Sequence, residues 1–154
     1  MGDQPVPSFK FDRTRLTRND QITGGATVVL FISLFLPWFG VSIRGFSGGS
    51  ISALSAHGYL YIVLILCLVV VGYLFVRAGM ADVASKGPVG HQLVLLVTTT
   101  INAVLILIAF VFKPSGLGIV NVGWRFGSFV GLIAALVAVA PLALPAIQAG
   151  RAKR

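Results

Sequence analysis

The chain has 154 residues, 56% of them hydrophobic and only 10% charged, with a formal net charge of +8. Soluble domains carry about 25% charged residues, so this composition argues against a water-soluble globule and for a chain that lives in lipid. The basic residues gather at the ends of apolar runs, where headgroups take them up, and not in a groove with stacking aromatics; nucleic acid is not expected as a partner.

Residues 1–20 are polar and mixed in charge, with Asp3, Lys10, Asp12, Arg13, Arg15, Arg18 and Asp20. They read as a cytoplasmic segment outside the membrane domain, mobile or resting on the inner leaflet through Phe9, Phe11 and Leu16. The lead is long and the apolar run after it is of full spanning length, so it reads as a retained helix and not a cleaved signal.

Four spans are expected inside a membrane domain at 21–148, namely 22–43, 58–76, 91–112 and 125–148. The first is centred on Val28-Val29-Leu30-Phe31-Ile32-Ser33-Leu34-Phe35-Leu36. As a helix it would reach about 33 Å, enough to cross. Pro37 cannot donate to the carbonyl of Ser33, so a kink or an early helix end is expected there. Arg44 to Ser52 is rich in Gly and Ser and reads as flexible turns, with a brief interfacial helical turn over Ser52 to His57. The second span lies between Tyr59 and Tyr61 outside and Tyr73, Phe75 and Arg77 inside. After an inner loop at 78–90 the third span ends at Lys113-Pro114-Ser115-Gly116, and 117–124 is a second short outer loop. Pro141 and Pro145, one turn apart, should bend the inner half of the fourth span. Residues 149–154 are a basic cytoplasmic tail.

Orientation follows from Lys and Arg. Lys10, Arg13, Arg15, Arg18, Arg77, Lys86, Arg151, Lys153 and Arg154 fall on one side, and Arg44, Lys113 and Arg125 on the other. Nine against three puts both termini in the cytoplasm. The expected fold is all-α: a four-helix, up-down transmembrane bundle.

No constellation reads as an active site, and no catalytic, cofactor-binding or metal-binding residue is expected. The four acids, Asp3, Asp12, Asp20 and Asp82, all fall in cytoplasmic segments. Proton-coupled carriers place a titratable group in the membrane interior, so a self-sufficient proton-driven transporter is not expected. Outside, His57 has Ser52 and Ser55 near it in sequence but no acid to orient it. His57 and His91 lie at opposite membrane faces and cannot share a metal ion. Cys67 is alone, so no intrachain disulfide forms; it reads as a small buried or lipid-facing hydrophobe.

Thr98, Thr99, Thr100 and Asn102 form a polar cluster within the third span, with Asn102 near the midplane and Thr98 one turn before it. Contact between helices is the expected use, and a polar lining is the alternative. Gly127, Gly131 and Ala135 recur every four residues, a pattern that lets helices approach closely, within the bundle or through self-association. Trp38, Phe39, Phe46, Tyr59, Tyr61, Trp124, Phe126 and Phe129 read as an aromatic belt at the outer boundary.

Leu36-Pro37-Trp38-Phe39 at the outer end of the first span resembles a feature of small tetra-spanning membrane proteins of actinobacteria. So do the Gly/Ser-rich loop, the entry Ala53-Leu54-Ser55-Ala56-His57-Gly58, and the start Gly123-Trp124-Arg125-Phe126-Gly127. The resemblance implies a multi-pass protein of the bacterial plasma membrane and no assigned activity. The expected function is a non-catalytic accessory or scaffold subunit. Its expected partners are membrane lipids, other envelope membrane proteins, or a second copy through the Gly127/Gly131 face. A component of an oligomeric transporter or channel is the alternative.

Overall fold

The computed structural model describes residues 2, 9–80, 88–115 and 118–153. Three helices are long and apolar enough to cross a membrane: Leu60–Gly79, Gly90–Val111 and Phe126–Ala152. Their outward faces carry exposed Ile, Leu and Val side chains, such as Ile65, Leu68, Val97, Val104, Ile133 and Leu136. A surface this apolar belongs in lipid, and the chain is a multi-pass membrane protein.

Helix α1 spans Arg18–Ser33. Thr17 and Asp20 start it with a reciprocal cap: the Thr17 hydroxyl accepts from Asp20 N at 3.2 Å, and the Asp20 carboxylate accepts from Thr17 N at 3.1 Å. Sixteen residues rise about 24 Å, and a tight turn extends the chain through Leu36. The expected helix over 22–43 is therefore corrected: it stops at Ser33, and Pro37–Ile43 is a strand, β1. The early end follows from Pro37. Without a proline N–H, the carbonyl of Ser33 accepts from the indole Nε1 of Trp38 at 2.7 Å, as well as from Leu36 N at 3.1 Å.

The 44–52 segment is likewise not a flexible loop. Arg44 and Gly45 take positive φ, +47° and +85°, the pair a two-residue hairpin turn requires. The chain then returns as β2, Phe46–Ser52. The outer segment expected as loop at 117–124 contains β3, Val120–Trp124, which pairs with β1 from the other side. The result is an antiparallel sheet in the order β2-β1-β3. Trp38 is left over between the Pro37–Ser52 and Phe39–Ile51 pairs, a bulge that re-aims its ring into the core.

Ser52 caps the short helix α2, Ala53–Ala56, where a brief helical turn is expected from sequence. Helix α3 is Leu60–Gly79, α4 is Pro88–Val111 and α5 is Phe126–Ala152. Helix α1 packs on α5 and α3, and α4 packs on the same two. The half of the core nearer the sheet joins Leu30, Leu34, Trp38, Phe39, Val63, Cys67, Ile106 and Ala134; the half away from it joins Val70, Leu74, Leu95 and Leu142.

Helix α5 runs through Pro141 and Pro145. Pro145 cannot donate to the carbonyl of Pro141, and Asn19 Nδ2 of α1 takes that place at 3.3 Å. The segment before α1 does not stand apart from these helices. Phe9 and Phe11 lie on Phe75, and Asp12 N donates to the last-turn carbonyl of Ala78 at 3.1 Å.

Candidate functional site

Two regions concentrate polar chemistry, one at each end of the helices. At the end of the helices away from the sheet, Asp20 is only 2% exposed. Its Oδ1 lies 2.9 Å from Nε2 of His91, and Nδ1 of His91 lies 3.0 Å from the Tyr73 hydroxyl. The three residues come from α1, α4 and α3. Each ring nitrogen therefore has a partner. By sequence, Asp20 falls in a segment outside the spans; the structure buries it within α1, where Asp20 and His91 form the one ion-pair geometry among the described residues. A turn beyond Tyr73, Arg77 is buried, with Nε and Nη1 lacking hydrogen-bond partners among the described residues.

Between the ends lies a thin polar layer. Asn102 is buried, and its Nδ2 faces Cys67 Sγ at 3.7 Å, so it does join α4 to α3. Thr99, and not Thr98, is the threonine buried beside it; Thr98 is half-buried and Thr100 exposed. The hydroxyls of Thr98 and Thr99 turn back to the carbonyls of Val94 and Leu95 on their own helix, at 2.8 and 2.7 Å. Between helices, the hydroxyl contact that sequence reasoning missed is Thr23 to the Ala138 carbonyl, at 3.0 Å.

At the sheet end, His57 does not meet Ser52 or Ser55 among the described hydrogen bonds. Those hydroxyls meet each other at 3.0 Å, while the His57 ring sits edge-on to Phe39 and tilted on Tyr59. Burial pulls the His57 imidazole below its ordinary value, opposed by a hydrogen bond to the Phe112 backbone. Burial likewise raises Tyr59.

The aromatic belt divides in two. Phe46, Tyr61, Trp124, Phe126 and Phe129 are exposed, but Trp38 and Phe39 are fully buried, a correction to their place in the belt. Trp38 fills the notch left by the glycines of α5. A Cβ at Gly131 would strike the Trp38 ring, and one at Gly127 would lie 2.6 Å from the Pro37 carbonyl. The Gly127/Gly131 face is thus occupied within the chain by Trp38, so a second copy could use it only by displacing that ring.

Strand β1 alternates. Phe39 is buried toward the helices, and Ile51 and Val122 pack on the same core. Gly40 pairs with Gly123, and Ser42 with Ser47 and Asn121, on the opposite face. Arg125 lies across that outer face, its Nε where a Cβ of Gly40 would come within 2.5 Å. No protein-family model, curated protein or solved structure matches this chain in the comparisons made with it.

Proposed function

We propose that the chain is a non-catalytic accessory subunit of the bacterial plasma membrane that crosses four times and engages a partner through its outer sheet. The observation that carries this reading is the edge of β2. From Phe46 to Ser50 every residue is exposed, Phe46 at 80%, and nothing in the described chain pairs with that edge. Unpaired strand edges are templates for addition of another extended segment. A fourth crossing by α1 is supported by its exposed Val28, Val29 and Ile32, and by Phe35 in the turn after it, which continue the apolar surface of the other helices. The Lys and Arg distribution supports cytoplasmic termini.

The test is a photo-activated cross-linker placed at Phe46, or at Leu136 on the lipid-facing side, in cells. A discrete adduct with one protein at Phe46, absent at Leu136 and lost when Ser50 is replaced by Pro, is the expected result. Adducts only with lipid at both positions would overturn the reading.

A second reading, a component of a transporter, is favoured by the buried Asp20–His91–Tyr73 chain, because titratable groups packed between helices are what proton-coupled carriers use. Proton flux into liposomes of the pure protein, abolished by Asp20→Asn, would select it.

A further inference from the structure

We infer that the outer face of the sheet binds a tetrahedral oxyanion, a phosphate group, with Arg125 as its charge partner. This goes beyond partner docking at the β2 edge, because it uses the face and not the edge. Three observations converge. Gly40 and Gly123 pair directly across β1 and β3, leaving a stretch of sheet without side chains. The Arg125 side chain lies over it and remains exposed. Beside it, Ser42 and Ser47 pair across β1 and β2 on the same face. Together these residues line a hollow of about 310 Å³.

No acid among the described residues lines this hollow. Asp20 and His91 form the one salt-bridge geometry among the described residues, and all four acids of the sequence, Asp3, Asp12, Asp20 and Asp82, fall in segments assigned to the other side. A guanidinium fork presents several N–H donors in a plane, matched to the oxygens of phosphate. The Ser47 hydroxyl adds a donor, while the Ser42 hydroxyl beside it already donates to the Asn121 carbonyl at 3.4 Å. Gly40 is what lets the guanidinium lie flat: any larger residue displaces it.

A phosphate can reach the hollow from a lipid headgroup of the adjoining leaflet or as a soluble ester, and the experiment separates them. The full chain in a maltoside micelle is titrated with inorganic phosphate and followed by the Arg125 Nε–H resonance. In parallel, the chain in nanodiscs of mixed phosphatidylcholine and phosphatidylglycerol is released and the retained phosphatidylglycerol counted by native mass spectrometry. Saturable binding of inorganic phosphate assigns a soluble ligand; retention of phosphatidylglycerol alone assigns the headgroup. Either is expected to weaken at least tenfold in Arg125→Gln and to persist in Lys113→Gln. Ser47→Asp, at an exposed position, places a competing carboxylate in the hollow and should abolish binding even if Arg125→Gln fails to fold. Absence of both kinds of binding, or binding unchanged in Ser47→Asp, overturns the proposal.

Discussion

His57 shows how a single half-buried imidazole ties stability to pH. Desolvation is the larger effect on it, so its folded value lies below the ordinary 6.5. The unfolded chain then binds the proton more readily than the folded one, and stability rises with pH across that interval. The penalty is absent well above the unfolded value and grows as pH falls through it. The midpoint of thermal unfolding in detergent should drop between about pH 7.5 and 5.5, and His57→Gln should flatten that slope. Asp20 is a different case, because its two oxygens do two tasks. Asp20→Ala removes the partner of Thr17 N and strands His91 Nε2 in the core. A cost of about 2–4 kcal/mol is expected, measured by reversible unfolding in mixed micelles. In a His91→Leu background only the cap is lost, and the cost should fall to about 1 kcal/mol. Equal costs in both backgrounds would mean that the two side chains are not coupled.

Among the elements, the close approach of α5 to the end of α1 rests on Gly131. Gly131→Ala drives a methyl into the Trp38 ring and should destabilise by about 1–3 kcal/mol, less in a Trp38→Leu background. If oligomer size changed and stability did not, Gly131 would face another copy and not Trp38. The glycine spacing was legible in the sequence; its partner was not, because Trp38 reaches it only through a bulge. The strands were hidden for a related reason. Residues 37–43 continue the apolar run of α1, so a helical period absorbs them, and only Pro37 hints at the break. Strand β2 is Gly and Ser at five of seven positions, a composition that reads as turns. What makes these segments strands is pairing, and Phe39 finds its partner in Trp124, far along the chain. The pairing of Asp20 with His91 spans 71 residues and is equally invisible to local reading.

On the scale of the whole molecule, the membrane-crossing helices were readable because length and apolarity are local properties. The observed ends of α3, α4 and α5 differ from expectation by a few residues, as caps and frayed turns allow, whereas the first span ends early, at Ser33. Orientation makes a further prediction. Alkaline phosphatase fused after the last residue should be inactive, and the same enzyme inserted between Arg44 and Gly45, at the tip of the hairpin, should be active. The reverse pattern would turn the molecule over and place the sheet inside.

The sheet has a mechanical consequence. Strand β1 follows α1 after three residues, β2 runs straight into α2 below the start of α3, and β3 precedes α5 by one residue. A single ladder of backbone bonds therefore grips three helices by the same end. Trp124 extends the grip to the fourth, donating from its indole to the Phe110 carbonyl of α4 at 3.1 Å. The molecule is built like tongs riveted at the sheet end. At the opposite end the Asp20–His91 clasp crosses from α1 to α4, so the two ends are tied by different means, backbone pairing at one and a buried side-chain pair at the other.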